Sequence, residues 1–303
     1  MKKLALFLAT QKGFCVLQEL CCSDYKNNIA CVISFNEIGV QKDWAIDIEK
    51  LCEDKQIPFY YWKDVKTNLL EFIRKYAVTS VIAISWRYLL PLSLNDILED
   101  DIIVFHDSLL PKYRGFAPVV TAMLCRENVI GATALFATDK VDAGDIILQK
   151  KLSIRNDEYI AQIFEKMAEL YASMAVDIVK KIVTASLNAV PQNESEASYS
   201  IWRDEEDYKI DWSMDSVDIY NQIRATGYPY RYSFTYIDGE LIRIVSADIE
   251  KDFNFALRDY GKIWNLNNGE PLVICGKGIL RITKAAHENG TEYKFTKLRS
   301  RLR

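Results

Sequence analysis

The sequence predicts an α/β protein in which a doubly wound, Rossmann-like domain is followed by a small, mainly-β domain of the OB-like type. In the first part of the chain, short apolar runs alternate with amphipathic runs. A polar stretch then interrupts the chain, and closely spaced strand-like runs follow it. Strand–helix alternation is typical of parallel sheets that carry helices on both faces.

Five buried strands are predicted in the first part of the chain. Each is short, continuously apolar and rich in β-branched and aromatic residues, as strands covered on both faces are. Their bounds are 4–8, 29–35, 58–62, 80–85 and 102–106. Helical spacing of apolar residues predicts helices over 14–22, 44–55 and 68–76. Ligands of such sheets bind at the carboxyl ends of the strands, and the fifth strand ends at His106.

A strand pair and a long helix complete the first domain. The strands are predicted at 132–137 and 146–152 around a polar turn, and the helix at 157–185. We therefore predict a first domain over 1–186, a linker over 187–200 and a mainly-β domain over 201–303.

The last domain is predicted to hold one helix and several strands. Asp238-Gly239 is a hairpin signal between two of the strands. The helix spans 216–225, and the strands span 232–237, 240–245, 261–265, 271–275 and 279–284.

Composition and charge exclude several classes of protein. The net charge is −4, and residues 201–303 contain 16 basic and 16 acidic residues, a balance that disfavours a nucleic-acid partner. No apolar run reaches the roughly 18 residues that a membrane span needs, and the apolar run 4–9 is better explained as a strand than as a signal peptide. The seven cysteines show no Cys-x-x-Cys spacing, which favours free thiols and a cytoplasmic location.

Two residues have the layout of a base and its orienting partner. His106 ends a predicted strand, and Asp142 lies on a separate polar turn. Histidine can take and return a proton near neutral pH, and a nearby carboxylate stabilises the imidazolium. The alternative interpretation is a packed core histidine without a chemical role. The dinucleotide, P-loop and serine-hydrolase motifs are absent, and two histidines with scattered cysteines argue against a metal site.

The segment around His106 resembles a known family. It reads Phe-His-Asp-Ser-Leu-Leu-Pro-Lys-Tyr-Arg-Gly over 105–115, and Asp-Ala-Gly-Asp follows over 142–145. This strongly resembles the folate-dependent formyltransferases, which include methionyl-tRNA formyltransferase and the sugar N-formyltransferases. The separation of His106 and Asp142 agrees with the family's spacing. Segments 84–91, 199–207 and 209–213 resemble the family as well, and the 84–91 segment looks closer to the sugar enzymes.

The resemblance implies a fold, a donor and a set of site residues. It makes 1–186 the catalytic domain, 10-formyltetrahydrofolate the formyl donor and His106 with Asp142 the catalytic pair, without a metal. The residues implied to border the folate are Ser85, Trp86, Arg87, Tyr88 and Leu89. The candidate substrate contacts are Gln11, Lys12, Ser108, Lys112 and Arg114. For Gln11 and Lys12 a helix-entry turn is the alternative, and for Lys112 and Arg114 a solvated surface.

One residue departs from the family pattern. The family has an asparagine two positions before the histidine, where its amide holds the formyl oxygen, and this chain has Val104. Loss of one such donor costs roughly a hundred- to a thousand-fold in rate. We expect Ser108, Ser85 or a backbone N–H to replace it. The alternatives are a different acyl group and a fold that binds without catalysis.

The acceptor is inferred from charge. A charge-balanced second domain favours a nucleotide-linked amino sugar of surface-polysaccharide biosynthesis over a tRNA, so methionyl-tRNA formylation is the alternative. The sugar, the nucleotide and the oligomeric state, including a homodimer, stay open.

Overall fold

The computed structural model describes residues 1–37 and 42–303 and divides the chain into two compact units. The first unit consists of Met1–Pro118, Val129–Ile154 and Phe164–Ile201. The second consists of Val119–Asn128, Arg155–Ile163 and Trp202–Arg303. The domain boundaries at residues 186 and 201 and the linker over 187–200 stay predictions.

The described part of the chain holds the following strands and helices. The strands are β1 (Leu4–Leu8), β2 (Ile29–Ser34), β3 (Phe59–Tyr61), β4 (Ser80–Ile84), β5 (Ile103–His106), β6 (Arg114–Gly115), β7 (Val129–Phe136), β8 (Ile146–Ser153), β9 (Tyr199–Ser200), β10 (Ser233–Ile237), β11 (Glu240–Glu250), β12 (Ile263–Asn267), β13 (Glu270–Ile274) and β14 (Ile279–His287). The helices are α1 (Thr10–Cys22), α2 (Ala45–Lys55), α3 (Trp62–Val65), α4 (Leu69–Lys75), α5 (Pro118–Leu124), α6 (Ile160–Val183) and α7 (Ser216–Ala225).

The first unit contains a seven-stranded sheet with the order β3-β2-β1-β4-β5-β7-β8. The strands β1 to β5 run parallel, and β7 and β8 continue the sheet antiparallel. The strand order reverses between β1 and β4, which is where doubly wound sheets bind their ligands. The predicted fold class is confirmed, and His106 lies at the carboxyl end of β5, near this reversal.

The first helix starts earlier than predicted. It begins at Thr10, directly after β1, rather than at Phe14. A Cβ atom on Gly13 would lie 3.0 Å from the Cβ of Leu8, so the missing side chain lets the first turn pack against the strand end. The run Thr-Gln-Lys-Gly therefore belongs to the helix. The structure also adds α5 and the short pair β6 and β9, which the sequence pattern does not reveal.

The second unit contains a five-stranded antiparallel sheet with the order β10-β11-β14-β13-β12. Helix α7 has the predicted bounds and places Ile219 and Ile223, both fully buried, on this unit's core. Full burial of such a side chain stabilises the fold by about 1.5–3 kcal/mol. Two strands are longer than predicted, since β11 runs to Glu250 and β14 to His287. No described helix combines the length and apolar character needed to cross a membrane.

Candidate active site

His106 is held in place through one of its ring nitrogens. Its Nε2 lies 2.8 Å from the carbonyl oxygen of Tyr113, and the residue is buried. A carbonyl only accepts hydrogen bonds, so Nε2 carries a proton in the neutral ring and Nδ1 carries the lone pair. Tyr113 has a left-handed backbone, with φ at 60°, and its N–H donates to the Ser198 hydroxyl at 3.0 Å. The tautomer of His106 is thus fixed by the carbonyl group of Tyr113, whose backbone is itself held by Ser198.

Asp142 faces the other ring nitrogen. Its Oδ2 lies 3.4 Å from Nδ1 of His106 and accepts the N–H of Gly115 at 2.8 Å. Gly115 has a φ of 100°, and a Cβ there would lie 2.5 Å from the carbonyl oxygen of Ser200. Only glycine can therefore bring this N–H to the carboxylate.

The pair can accept a proton at one position. The 3.4 Å separation is longer than a normal N–H···O bond, as expected when Nδ1 lacks a proton. A proton that arrives at Nδ1 gains the carboxylate of Asp142 as its acceptor, which stabilises the imidazolium. The geometry therefore suits His106 as a general base with Asp142 as its orienting partner. Their catalytic role stays a prediction.

Lys12 is not placed as a free substrate contact. Its ammonium group forms an ion pair with Asp107 and lies 5.2 Å and 5.3 Å from the ring centres of Phe164 and Tyr171. Asp107 also accepts a hydrogen bond of 2.5 Å from the Tyr171 hydroxyl. Burial opposes ionisation of Asp107, but Lys12 and Tyr171 outweigh it and lower the pKa of Asp107. Burial and the nearby Asp107 raise the pKa of Tyr171 well above its ordinary value.

Ser108 cannot donate to a formyl oxygen in this arrangement. Its hydroxyl donates to the carbonyl of Lys112 at 2.6 Å, and the residue is buried. Its own carbonyl accepts from the Thr133 hydroxyl at 2.7 Å, and Gln149 donates to Leu110 at 2.7 Å. These bonds fasten the loop after His106 to β7 and β8. Ser108 therefore shapes the loop, and its hydroxyl proton is already engaged.

Arg114 is buried and bonded within the protein, whereas the sequence suggested a substrate contact. The residue is 1% exposed. Its guanidinium nitrogens donate to Glu194 at 2.8 Å and 3.0 Å, and to Gln192 at 2.8 Å and 3.1 Å. The hydrogen bond and charge of Glu194 raise the pKa of Arg114 against its burial. A buried, fully paired guanidinium leaves no donor for a phosphate.

Gln192 connects Arg114 to the turn that carries Asp142. Its amide nitrogen donates to the carbonyl oxygens of Asp142 at 2.7 Å and Gly144 at 2.8 Å. A Cβ on Gly144 would lie 1.8 Å from the carbonyl oxygen of Phe136, so the turn is tightly packed. Gln192 lies in the stretch interpreted as a linker, and no sequence signal marks it as part of the site.

The residues implied to border folate follow β4. Ser85 has a left-handed backbone, with φ at 52°, and its hydroxyl has no partner among the described residues. The centre of the Trp86 ring lies 5.0 Å from that of Phe35 and 5.9 Å from that of Tyr88. Its Nε1 is buried and has no hydrogen-bond partner in the described part of the chain. Tyr88 is 42% exposed and Leu89 is 97% exposed.

Part of the Arg87 side chain already contacts neighbouring residues of the chain. Its Nη2 lies 3.2 Å from Oε1 of Glu37, and its guanidinium lies 4.6 Å from the centre of the Phe35 ring. Burial raises the pKa of Glu37, and Arg87 moderates that effect. The Arg87 side chain still keeps about half of its surface exposed, at 49%.

The remaining predicted residues, and the position that departs from the family pattern, lie on three different elements. Gln11 is half-buried in the first turn of α1, and the Lys112 side chain is exposed on the loop after His106. Val104 pairs in register with Ala83 and Leu135 and packs against an apolar cluster that includes Phe7 and Val81. Asp107, Tyr171 and the Tyr113 carbonyl were not predicted. Only Asp107, a carboxylate next to the histidine, offered a sequence signal.

Comparisons with known proteins match nearly the whole chain. Residues 3–179 match the family model described as formyl transferase, and residues 203–301 match formyl transferase, C-terminal domain. A methionyl-tRNA formyltransferase of Acetivibrio thermocellus is 30% identical over 217 residues, 71% of this chain and 68% of that protein. One from Streptococcus sanguinis is 28% identical over 236 residues, 78% and 74% of the two chains.

Solved structures share the fold at lower identity. A sugar 3N-formyl transferase crystallised with dTDP and 5-N-formyl-THF has a TM-score of 0.70 at 18% identity, over 98% of this chain and 99% of that one. An N-formyltransferase from Helicobacter canadensis, in complex with folinic acid and dTDP-3-aminofucose, has a TM-score of 0.72 at 18% identity, over 97% and 100% of the two chains. These likenesses extend over both units.

Proposed function

The chain belongs to the formyl transferase family, and we propose that it moves a formyl group from 10-formyltetrahydrofolate to the amine of a nucleotide-linked amino sugar. The observation that carries the catalytic part is the His106–Asp142 pair, whose one free lone pair faces the carboxylate. We place the reaction in surface-polysaccharide biosynthesis, as the sugar implies.

In this proposal the chain's own residues move one proton. The acceptor amine forms a bond to the formyl carbon as the bond from that carbon to the folate nitrogen breaks, and the amine loses one proton to Nδ1 of His106. Asp142 accepts a hydrogen bond from the new ring N–H, and this proton then passes to the departing folate nitrogen, which leaves tetrahydrofolate and a neutral His106. Most of the rate comes from positioning, because two bound reactants no longer need a bimolecular encounter.

The segment after β4 fits the folate donor. A planar pteridine suits the exposed face of an aromatic cluster that includes Trp86 and Tyr88. The buried Nε1 of Trp86 lacks an acceptor among the described residues, and a ligand with ring nitrogens and a carbonyl would supply one. When bound, the folate supplies a formyl group already activated on nitrogen.

We propose that Ser85 replaces the missing asparagine. Negative charge develops on the formyl oxygen during transfer, and Val104 has no donor for it. Ser108 is engaged with Lys112, whereas the Ser85 hydroxyl has no protein partner among the described residues and lies at the carboxyl end of the strand next to β5. We expect Ser85→Ala to lower kcat by roughly a hundred- to a thousand-fold. The matched control is Ser108→Ala, which should affect stability more than kcat; equal activity of Ser85→Ala and wild type would contradict the assignment.

The charge of the second unit supports a small acceptor. Its basic residues are largely neutralised by neighbouring carboxylates, as in the pairs of Arg281 with Asp248 and Glu250 at 2.7 Å and 2.9 Å. Nucleic-acid binding depends on unpaired cations that replace counterions along the phosphate backbone. The dTDP and dTDP-sugar found with the two structural relatives further support a nucleotide-linked acceptor.

Methionyl-tRNA formylation is the second candidate, because the curated relatives carry that name. An assay with purified protein distinguishes sugar formylation from tRNA formylation. The protein and 10-formyltetrahydrofolate are mixed either with dTDP- and UDP-linked amino sugars or with charged initiator tRNA. We expect formyl transfer to a nucleotide-linked amino sugar and little to the tRNA. The reverse preference would contradict the proposal.

A second measurement distinguishes an active enzyme from a protein that binds the folate donor without catalysing transfer. Calorimetry with a stable folate analogue reports donor binding, and turnover of wild type and Val104→Asn reports chemistry. Binding without turnover in wild type, together with a large gain in Val104→Asn, would mean that the donor lost at Val104 has no replacement.

A further inference from the structure

The second unit contains a cavity at the edge of β10 that does not face β11. Two chain segments pair with this edge. The N–H of Ile210 donates to the carbonyl oxygen of Phe234 at 2.8 Å, and the N–H of Arg303 donates to that of Tyr236 at 3.0 Å. Residues 209–212 and 301–303 and Tyr260 line the cavity, which has a volume of about 400 Å³.

Hydrogen bonds within the unit hold the walls of this cavity in place. The Nε1 of Trp212 donates to the hydroxyl of Thr235 at 3.0 Å, and this hydroxyl donates to the carbonyl oxygen of Arg303 at 3.1 Å. The apolar part of the lining belongs to the core, since Ile210, Trp212 and Leu302 are at most 3% exposed. The cavity is therefore a preformed feature of the fold.

Positive charge is concentrated in the lining. Its basic side chains are Lys209, Arg301 and Arg303, and its one carboxylate is Asp211. The Oδ1 of Asp211 already accepts hydrogen bonds from the N–H and the hydroxyl of Ser213, at 2.9 Å and 2.6 Å. In the described part of the chain, neither Lys209 nor Arg303 has an ion-pair partner.

Other basic side chains of this unit are neutralised by carboxylates. Arg258 pairs with Asp252, and Lys262 pairs with Asp259. Asp259 also lies 3.8 Å from Arg301, but its closer partner is Lys262. A cleft lined by one sign of charge raises the local concentration of ligands of the opposite sign. The cavity therefore favours an anion.

The size and the lining indicate which anion fits. Small-molecule sites have volumes of roughly 300–1,000 Å³, a range that includes this cavity. Arginine binds phosphate oxygens through paired N–H donors. The ring of Tyr260 is half exposed and offers a face to a planar group. A nucleotide combines phosphate charge with a planar base, whereas a free phosphate would leave the apolar lining unused.

We propose that this cavity binds a nucleoside diphosphate, with the phosphates on its basic side chains and the base against the ring of Tyr260. The site lies within the second unit, whereas His106 and Asp142 belong to the first. The inference therefore does not depend on the proposed function. Nucleic acid is a poorer occupant, because the neighbouring cations Lys262 and Lys297 pair with carboxylates and cannot follow a phosphate backbone.

Photolabelling locates a bound nucleotide directly. The protein is irradiated with 5-azido-UDP or 8-azido-ADP, and mass spectrometry identifies the labelled peptide. We expect label at residues 209–212 or next to Tyr260, and excess UDP or ADP should prevent it. Label confined to the first unit, or no label, overturns the proposal.

Two double variants remove the same charge from the same segment. Arg301→Gln with Arg303→Gln removes two cations of the cavity, whereas Lys297→Gln with Arg299→Gln removes two that do not line it. The first should raise the concentration of azido-nucleotide that half-saturates labelling about tenfold or more, because it removes charge-assisted hydrogen bonds. The second should leave it unchanged. Equal half-saturation in the two double variants overturns the proposal.

Two competitors test the class of ligand. Pyrophosphate lacks a base and should compete about tenfold less well than UDP; equal competition overturns the contact of the base with Tyr260. A tRNA that displaces the label at a lower concentration than UDP would assign the cavity to nucleic acid and overturn the proposal as well.

The proposed function can fail separately. A nucleotide bound near His106 should be labelled within the first unit, and Arg301→Gln with Arg303→Gln should not affect it. Label at the cavity without formyl transfer supports this site and counts against the proposed function. Formyl transfer with label confined to the first unit has the opposite meaning.

Discussion

Gln192 provides a quantitative test of how the site is held together. In Gln192→Ala, the carbonyls of Asp142 and Gly144 lose donors at 2.7 Å and 2.8 Å, and buried Arg114 loses an acceptor that two of its nitrogens share. The two bonds to carbonyls contribute about 1 kcal/mol each, and the bonds to the guanidinium about 1.5–3 kcal/mol. We therefore expect the free energy of unfolding to fall by about 3–5 kcal/mol.

The assay is urea unfolding at equilibrium, combined with kcat at saturating substrates. Asn193→Ala is the matched control, because among the described residues its side chain bonds only to its neighbours Ser195 and Glu196 and its loss should cost about 1 kcal/mol. The turn that carries Asp142 should also loosen in Gln192→Ala, so kcat should fall while Asn193→Ala keeps it. A Gln192→Ala protein as stable as Asn193→Ala would mean that Gln192 does not hold Arg114 and the Asp142 turn together.

Three further expectations concern the same residues and the thiols. Asp142→Asn keeps an oxygen for the Gly115 N–H but loses the charge, so kcat should fall by about 10²- to 10⁴-fold with little change in the urea midpoint. The pKa of Asp107 is lowered in the folded protein, so the ionised carboxylate stabilises the fold above the ordinary carboxyl pKa of about 3.9. The difference in free energy of unfolding between wild type and Asp107→Asn at pH 7 should therefore narrow as the pH falls through the folded pKa. A difference that is unchanged at pH 3 would contradict this. Burial raises the pKa of three thiols to about 12, so a thiol reagent should label the native protein rapidly at the two exposed cysteines and reach all seven only in denaturant; rapid native labelling of the buried thiols would be inconsistent with their burial. The exposed thiols are Cys22 and Cys125, and the buried ones are Cys31, Cys52 and Cys275.

The fold was largely predictable because a strand that is buried on both faces has a continuous apolar sequence, which is visible in a short window. Strand β1 is apolar throughout, β4 is apolar after its first residue, and α7 shows a clear three-to-four spacing, so their places follow from short windows of sequence. The start of α1 was missed because Gly13 looks like a turn residue until its contact with Leu8 is seen.

The site was predictable only where chemistry and motif coincide. His106 and Asp142 were chosen by residue type, strand end and spacing, and the structure brings them together at 3.4 Å. The surroundings depend on contacts between distant segments, which no local pattern encodes. Gln192 reaches Asp142 across 50 positions. Arg114, which looks like a solvated cation in sequence, is buried and pairs with Glu194 at a separation of 80 positions.

Single-turnover formyl transfer shows whether His106 acts in the chemical step. Excess enzyme is mixed with 10-formyltetrahydrofolate and a nucleotide-linked amino sugar, and the formylated sugar is followed by mass spectrometry over time for wild type and His106→Gln. We expect transfer by wild type and a loss of about 10²- to 10⁴-fold in His106→Gln, with donor binding retained. Transfer at the wild-type rate in His106→Gln would contradict it.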